Sequence, residues 1–312
     1  MKFGIVVLAL MDQLRALEVL VAVADTGGFA PAARRLSISA PSVTRLVQDL
    51  EAELGVTLLH RTTRKVTLTD SGQAFVGDAR QLLDDYQAAK DAARGAFCAP
   101  TGRLRVTAPV LFGRHYISPL LANLIDAYPD LQVDAVYLDR VVSLVDEGFD
   151  VAVRIGPLPD SNLRAVRVGT VRRVVCGCPS YFEQNGLPVT PPDLAKHRIV
   201  AARPATPTDD WRFGRGASVR VRPRLTFADN ASAIEAVKTG WGLTRVLSYQ
   251  IGPELGGGSL QTVLSEFEPE PLPIHLLHAE GARVSAKVRQ FLDLAVDRLR
   301  NHPHLNGDPD DA

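Results

Sequence analysis

The chain has 312 residues, of which 46% are hydrophobic and 22% are charged. This length predicts two or three domains, and the composition is globular, which excludes wholesale disorder and fibrous repeats. The 35 basic and 35 acidic residues cancel, so any contact with nucleic acid must come from local patches. Three cysteines, Cys98, Cys176 and Cys178, are too few for a disulfide-stapled secreted scaffold. The cysteine content therefore favours a cytoplasmic protein.

The N-terminus carries an apolar run over residues 3–10, followed at once by Asp12. A membrane helix needs about 20 apolar residues, and a signal peptide needs a cleavage site of small residues. We interpret residues 1–10 as a start-site artefact or a short extra segment, and expect the first helix to begin with Asp12 as its cap. No other stretch approaches membrane length, so no membrane partner is expected.

Residues 11–69 have the pattern of a winged helix-turn-helix. A second short helix is predicted over Phe29–Leu36, and a third over Ala40–Leu54 after a three-residue turn. Ser39 can cap the third helix, Pro41 is tolerated in its first turn, and Gly55 ends it. Residues 56–59 and Val66–Leu68 predict a hairpin around a polar, basic turn. Two helices joined by a tight turn and followed by a hairpin are typical of DNA-binding heads.

A long helix is predicted next, capped by Thr69 or Asp70 and ending near residue 96. Its apolar residues repeat with spacings of four and three, and they are Phe75, Ala79, Leu82, Tyr86, Ala89, Ala93 and Ala96. A sustained heptad repeat favours pairing with a second helix. We therefore interpret residues 70–99 as a linker and dimerisation helix. The alternative is a long helix lying on a domain, where small alanines permit close packing.

From residue 103 onwards, strand and helix patterns alternate. Strands over residues 104–107, 132–138 and 150–155, with helices between them, predict a parallel sheet. A second unit begins near Arg172. We expect an α/β effector-binding domain over residues 103–300, with lobe I at about 103–172 and 279–300 and lobe II at about 173–278. Residues 301–312 are polar and are predicted to be a flexible tail.

Several motifs together resemble the LysR-type transcriptional regulators. The head resemblance rests on residues 29–45, on Leu54-Gly55-Val56, and on Leu68-Thr69-Asp70-Ser71-Gly72 at the join with the linker helix. The Arg-Val-Thr-Ala-Pro sequence ending at Pro109, and residues 146–156, resemble the family's effector-binding domain. The match covers roughly residues 11–300. It implies a winged helix-turn-helix, a linker helix and a two-lobed α/β domain like that of periplasmic binding proteins, assembled as a dimer or tetramer.

The head is electrically neutral in sum but polarised, because Asp49, Glu51 and Glu53 gather at the far end of the third helix. Arginine and lysine neutralise phosphates, hydroxyl groups bind them, and the first turns of a recognition helix enter the major groove. The candidate DNA-binding residues are Arg34, Ser39, Ala40, Pro41, Ser42, Thr44, Arg45, Arg61, Arg64 and Lys65. Arg45 is our candidate for direct base reading. Ala40 stands where many family members carry glutamine or proline, so a base-reading side chain is missing there.

Candidate effector-binding residues lie at the predicted carboxyl ends of strands, where ligands of open parallel sheets bind. They are Thr107, Pro109, Val110, Arg154, Gly156, Asn230 and Thr244. Thr107, the amides from Val110 onward and Arg114 could hold a carboxylate, since a helix N-terminus favours anions. Thr107 could instead be a simple helix cap, and Arg154 a solvated or paired charge. The resemblance raises these positions together, because the family binds small effectors between such lobes.

The cysteine and histidine side chains are interpreted as structural rather than functional. Cys176 and Cys178 are two apart on a predicted strand and read as buried thiols rather than a redox sensor. His275 and His278 should lie on opposite faces of a strand and make a poor metal pair. No nucleotide-binding loop or nucleophile motif is present, so we expect neither an enzyme nor a cofactor.

The sequence thus predicts a regulator that binds double-stranded DNA specifically and responds to a small-molecule effector, with an anion as one candidate. RNA polymerase is a candidate partner. The alternative is a small-solute-binding protein with no DNA role, which would have no use for a winged head. Effector binding is expected to alter lobe closure, and through it the spacing of the DNA-binding heads.

Overall fold

The computed structural model describes residues 2–61, 66–94, 99–202, 209–279 and 284–306 of the protein. The chain divides into two compact units. The first comprises Met1–Pro100, Val142–Asp150 and Glu280–Arg289, and the second comprises Thr101–Val141, Val151–Ala279 and Gln290–Ala312. Segment Val142–Asp150 thus packs with the first unit, although its sequence lies within the effector-binding region. The domain boundaries drawn from the sequence stay a prediction.

The first unit begins with three helices, a hairpin and a long helix. They are α1 (Lys2–Thr26), α2 (Phe29–Leu36), α3 (Ala40–Leu54), β1 (Leu59–Arg61), β2 (Val66–Leu68) and α4 (Asp70–Arg94). The strands β1 and β2 pair antiparallel, with Leu59 opposite Leu68. This is the predicted winged helix-turn-helix followed by the predicted long helix, and the bounds of α2 and α3 match the sequence prediction.

The core of the first unit follows the helical period of its sequence. In α3 the buried residues are Val43, Val47 and Leu50, spaced by four and three, which places them on one helical face. Val19, Leu20 and Val23 of α1 are fully buried against them, as is Leu58 before the hairpin. Burial of this shared face fixes α3 on its support and leaves the opposite face exposed.

Two local predictions in the first unit are wrong. Helix α1 begins at Lys2, so Asp12 lies inside the helix and does not cap it; no proline interrupts the run. The interpretation of residues 1–10 as a start-site artefact or a short extra segment stays a prediction. The first hairpin strand is β1, not residues 56–59. The Glu51 carboxylate accepts hydrogen bonds from the amides of Leu58 (2.8 Å) and Leu59 (3.1 Å), and these bonds anchor the chain as it enters the wing.

Thr69, rather than Asp70, caps α4, because its Oγ1 accepts a hydrogen bond from the Gly72 amide at 2.9 Å. A side chain at Gly72 would collide with the Leu58 carbonyl, so this residue lets α4 pack against the wing. Of the predicted heptad seam, Ala79 is buried, whereas Leu82 and Tyr86 are 50% and 46% exposed. Ala96 and Cys98 lie outside the described residues.

Elements after residue 100 alternate as predicted but are more numerous. The helices are α5 (Val110–Phe112), α6 (Ser118–Ala127), α7 (Leu144–Glu147), α8 (Pro179–Asn185), α9 (Asn230–Lys238), α10 (Gly252–Gly256), α11 (Ala286–Arg300) and α12 (Pro303–Asn306). The strands are β3 (Gly102–Ala108), β4 (Leu131–Tyr137), β5 (Val151–Ile155), β6 (Leu163–Val171), β7 (Arg173–Gly177), β8 (Val200–Ala202), β9 (Asp210–Arg212), β10 (Ser218–Arg220), β11 (Leu225–Phe227), β12 (Leu243–Leu247), β13 (Gln261–Val263) and β14 (Leu272–Ala279).

The second unit contains two main sheets, as expected of a two-lobed domain. The larger has the strand order β4-β3-β5-β14-β6, and its β3 pairs parallel with both β4 and β5. Strand β14 enters this sheet antiparallel to β5 and β6, although the sequence boundaries assigned it to lobe II. The smaller sheet has the order β12-β7-β13, and both pairings are antiparallel.

Three further expectations for this region are corrected. Residues 219–227 form two strands, β10 and β11, not one, and Pro223 between them cannot donate to a ladder. Cys178 lies past the end of β7, at the position that precedes α8, so the two cysteines do not share a strand. The segment from Asn301 is not frayed up to Asn306, because α12 forms and Leu305 is fully buried.

Candidate DNA-binding and effector sites

The recognition helix α3 begins at a tight cap. The Oγ of Ser39 accepts a hydrogen bond from the Ser42 amide at 3.2 Å and lies 2.8 Å from the Ser42 hydroxyl. Ala40 and Pro41 complete the first turn, where the missing N–H of proline has no cost. Ser39, Pro41 and Ser42 are exposed. This turn therefore presents small polar side chains to the outside.

Arg45 lies one turn further along α3, with its side chain 80% exposed. Its Nε is 3.9 Å from the Asp49 carboxylate, itself 69% exposed. Such an exposed pair contributes little to stability and is easily exchanged for another partner. Thr44 is half-buried and donates its hydroxyl proton to the Ala40 carbonyl at 3.1 Å. Arg45 is thus the more available of the two for an incoming acceptor.

The other predicted basic residues are Arg34 on α2 and Arg61, Arg64 and Lys65 at the wing. Arg34 is exposed on α2. Its neighbour Arg35 is held by Asp25 at 2.8 Å, and the same carboxylate binds Arg80 of α4 at 2.6 Å. Sequence reasoning missed this bridge because its members are far apart in the chain. Arg61 pairs through its backbone with Val66.

The wing tip and acidic end of the head complete this surface. The side chain of Arg61, and Arg64 and Lys65 altogether, lie outside the described residues, so their DNA-binding role remains a prediction. Of the acidic group at the far end of α3, Glu51 is used internally by the amides before the wing, and Glu53 accepts a hydrogen bond from Gln13 at 3.1 Å. Both carboxylates are therefore tied to the protein at the end of α3 away from its cap.

At the first effector candidate, Thr107 is 3% exposed near the carboxyl end of β3, and Pro109 precedes α5. The Val110 amide already donates a hydrogen bond to Asp139 Oδ1 at 3.0 Å. This amide was predicted to hold an anion, and a carboxylate of the chain itself now occupies it. Asp139 follows β4, the parallel neighbour of β3. Its place at the carboxyl end of a strand was the signal that the sequence prediction overlooked.

The helical segment that follows β3 contains a π-helical turn and packs closely against β4. Between α5 and α6, Gly113–Ile117 forms a π-helical turn, a feature that often occurs at functional sites. A side chain at Gly113 would collide with the Tyr137 ring, and the Tyr137 hydroxyl lies 2.9 Å from Ser118 Oγ. Arg114 points outward and is exposed.

Arg154 and Gly156 lie at the end of β5. Arg154 is half-buried, stands opposite His275 of β14, and is already engaged by a neighbouring group. The Gly156 amide donates to the Pro273 carbonyl at 2.9 Å. The effector-binding role of Arg154 and Gly156 stays a prediction.

In the second sheet, the strongest candidate is Thr244 of β12. It is 1% exposed, and its Oγ1 has no hydrogen-bond partner within the described part of the chain. Buried polar groups are nearly always bonded, so such a hydroxyl points to a ligand or an ordered water. Asn230 begins α9 and is half-buried, but Asp229 caps the helix, accepting from the Ser232 amide at 2.8 Å. This hydrogen bond and a second one from the Ser232 hydroxyl lower the pKa of Asp229.

The two described cysteines lie in surroundings that do not favour reactivity at Cys176. Cys176 is buried, and its burial raises the pKa of the thiol to about 12, which keeps it protonated. Cys178 Sγ lies 3.1 Å from Ser180 Oγ. Over the ranges that the structure describes, no group of three or more histidine, cysteine or acidic residues could hold a metal ion, and no helix is long and apolar enough to cross a membrane.

The comparisons with known proteins agree with this architecture. Residues 14–73 match the lysR family of bacterial regulatory helix-turn-helix proteins, and residues 99–300 match the LysR substrate binding domain. A transcriptional regulator from Xanthomonas campestris is 34% identical, over 90% of this chain and 84% of its own length. The transcriptional activator AaeR of Escherichia coli is 29% identical, over 92% of this chain and 94% of its own.

A solved structure extends the likeness to three dimensions. CrgA, a LysR-type transcriptional regulator from Neisseria meningitidis, superposes with a TM-score of 0.61 at 28% identity, covering 92% of this chain and 99% of CrgA. The two family models, over residues 14–73 and 99–300, together cover most of the chain. The chain therefore belongs to the LysR family of transcriptional regulators.

Proposed function

We propose that this regulator recognises its operator through the first turns of α3, with Arg45 reading a base and Ser39, Pro41 and Ser42 positioning the helix against phosphates. The observation that carries this proposal is the 80% exposure of Arg45, six residues beyond the Ser39 cap. Arginine binds guanine in bidentate fashion in the major groove. Arg34, Ala40, Thr44, Arg61, Arg64 and Lys65 complete the proposed DNA surface.

The test compares Arg45→Ala with the wild type on the cognate operator and on random duplex. Loss of a bidentate base contact should weaken operator binding by about 1–3 kcal/mol and relax specificity at one position. Arg220→Ala is the matched control, since it removes an equally exposed arginine outside the head. Equal losses on operator and random DNA would show that Arg45 contacts only phosphate.

We further propose that a small effector binds to the second unit, contacting residues from Thr107, Pro109, Val110, Arg154, Gly156, Asn230 and Thr244. The unpartnered Thr244 hydroxyl and the buried Thr107 support this proposal. Because Asp139 accepts from the Val110 amide, the effector should present a hydrogen-bond donor to Asp139, not a carboxylate to the amide.

Asp139→Asn tests the charge of the effector. A thermal-shift screen of small metabolites against the wild type identifies a ligand, and the variant is then titrated with it. A donor group facing Asp139 predicts weaker binding by the variant, by about tenfold for loss of a charge-assisted hydrogen bond. Tighter binding would restore the original expectation of an anionic effector.

We propose that the protein dimerises through α4 and assembles further into a tetramer. The apolar residues Leu82 and Tyr86 are about half exposed on this helix, at heptad spacing suited to a partner helix. Leu82→Glu should shift the mass measured by light scattering towards the monomer. An unchanged mass would place the interface elsewhere.

The remaining proposals follow from the role of a DNA-binding regulator. Its place of action is the cytoplasm, where DNA and RNA polymerase, a candidate partner, are accessible. We propose no catalytic activity, because the relatives are named as transcriptional regulators. A solute-binding role without DNA is disfavoured by the matched helix-turn-helix over residues 14–73.

A further inference from the structure

Two arginines share one face of the smaller sheet. In the antiparallel pair β7–β12, Arg245 stands opposite Val175, and Arg173 stands opposite Leu247. Residues two apart on a strand project to the same side, so Arg173 and Arg245 are diagonal neighbours on the face of Val175. Thr244 precedes Arg245 and projects to the opposite face. The arginine pair is therefore separate from the proposed effector contact at Thr244.

The guanidinium group of Arg245 packs against two aromatic rings. Its guanidinium carbon lies 5.0 Å from the centre of the Trp211 ring and 5.9 Å from that of Phe213. One N–H donates to the Arg212 carbonyl at 3.0 Å. These contacts fix the orientation of the guanidinium while leaving other donors of its fork unused.

Neither arginine has a carboxylate partner among the described residues. Burial lowers the pKa of Arg173, and burial together with the positive charge of Arg173 lowers that of Arg245 to about 10. Phe267 packs at the edge of the apolar core that contains Trp211 and Phe213. The carboxylate of the next residue, Glu268, forms an ion pair with Arg172 at 2.9 Å. Two half-buried like charges thus lie close together without compensation, which is unfavourable in a partly desolvated site.

We infer that Arg173 and Arg245 form an oxyanion-binding site for a small metabolite bearing a carboxylate or a phosphate. Both oxyanions can accept paired hydrogen bonds from a guanidinium fork. A group placed between the two arginines neutralises both charges at once. The rings of Trp211 and Phe213 shield one side of Arg245 from water, which strengthens the interaction.

The test uses the full-length protein in a Trp241→Phe background, where Trp211 is the sole remaining tryptophan. Inorganic phosphate and acetate are titrated separately, with chloride balancing the ionic strength. Because Arg245 lies on the Trp211 ring, occupancy should change Trp211 fluorescence along a saturable curve. Binding of phosphate to the DNA-binding head would leave this signal unchanged.

Arg173→Gln is the decisive variant, because its side chain makes no hydrogen bond or ion pair within the described residues and its loss should not impair folding. We expect it to weaken the saturable response by about tenfold or more. Arg220→Gln, which removes an 81%-exposed arginine from the β9–β10 ribbon, should bind as the parent does.

The two oxyanions identify the ligand class, since a stronger response to phosphate or to acetate assigns the site to phosphorylated or carboxylated metabolites. The inference is overturned if Arg173→Gln responds as the parent does, or if neither anion gives a response beyond that of chloride. A further readout is independent of any ligand. Without added oxyanion, Arg173→Gln should melt no lower than the parent, because it removes the like-charge repulsion; a clearly lower melting temperature would contradict the uncompensated pair.

Discussion

We predict that the ion pairs of Asp25 with Arg35 and Arg80, here called the Asp25 bridge, hold the DNA-binding head to the linker helix. Its carboxylate is 10% exposed and binds Arg80, 17% exposed, and Arg35, 28% exposed. Asp25→Asn keeps the size and shape of the side chain but removes the negative charge that both arginines share. Charge-assisted hydrogen bonds contribute about 1.5–3 kcal/mol each, and partial exposure reduces this. We therefore expect the variant to cost about 3 kcal/mol of unfolding free energy in the first unit.

Urea unfolding can assign this loss to one unit, since the two tryptophans, Trp211 and Trp241, both belong to the second. With a urea dependence of about 1–3 kcal/mol per molar, the midpoint of the first unit should fall by roughly 1–3 M. Far-ultraviolet circular dichroism, which reports both units, should show this early transition. Tryptophan fluorescence should keep the wild-type midpoint.

A matched control is Glu18→Gln, which breaks the exposed pair between Arg15 and Glu18, with side chains 39% and 45% exposed. Such pairs contribute about 0.2–1 kcal/mol. If Asp25→Asn were no more damaging than this control, the bridge would not hold the head. An equal shift in the fluorescence transition would also refute the argument, because the loss would then not be local.

Three further predictions concern the wing, the effector region and acid stability. Gly72→Ala should destabilise the first unit by about 1–3 kcal/mol in urea unfolding, because its side chain would collide with the Leu58 carbonyl; an unchanged midpoint would argue against that close packing. Thr244→Val should raise the stability of the ligand-free protein by about 1 kcal/mol, since it removes a buried hydroxyl without a partner, and should weaken the effector response; a loss of stability would mean that the hydroxyl is satisfied. The pKa of Asp229 is lowered in the folded protein. Its ionised carboxylate therefore stabilises the fold at pH values above the ordinary aspartate pKa, and this stabilisation is lost as the pH falls towards the pKa of the folded state. Asp229→Ala should therefore flatten the acid limb of a stability profile measured by thermal melting, and an unchanged limb would contradict this.

The head was predictable because its signals are local. Ser39 and Gly55 mark the ends of α3, and the spacing of Val43, Val47 and Leu50 defines its buried face. Each signal spans only a few residues, so it can be recognised without knowledge of the tertiary structure. The bounds of α2 and α3 followed directly from such signals.

Features that depend on distant partners were missed. Strand β6 was not predicted, and it is fixed by pairing with β14, about a hundred residues later. Asp139 was overlooked because its partner, the Val110 amide, is 29 residues away. Similarly, Asp25 and Arg80 are 55 residues apart. Neither capping rules nor periodicity reports such contacts, since both describe only neighbours along the chain.

Sequence-specific DNA binding by this chain can be measured with a salt-titrated gel shift. Purified full-length protein is mixed with the intergenic DNA beside its own gene, in the presence of excess random competitor. A discrete complex that resists competitor as salt rises is the predicted result, because base contacts add to phosphate attraction. Smearing that disappears at modest salt on every duplex tested would contradict sequence-specific recognition.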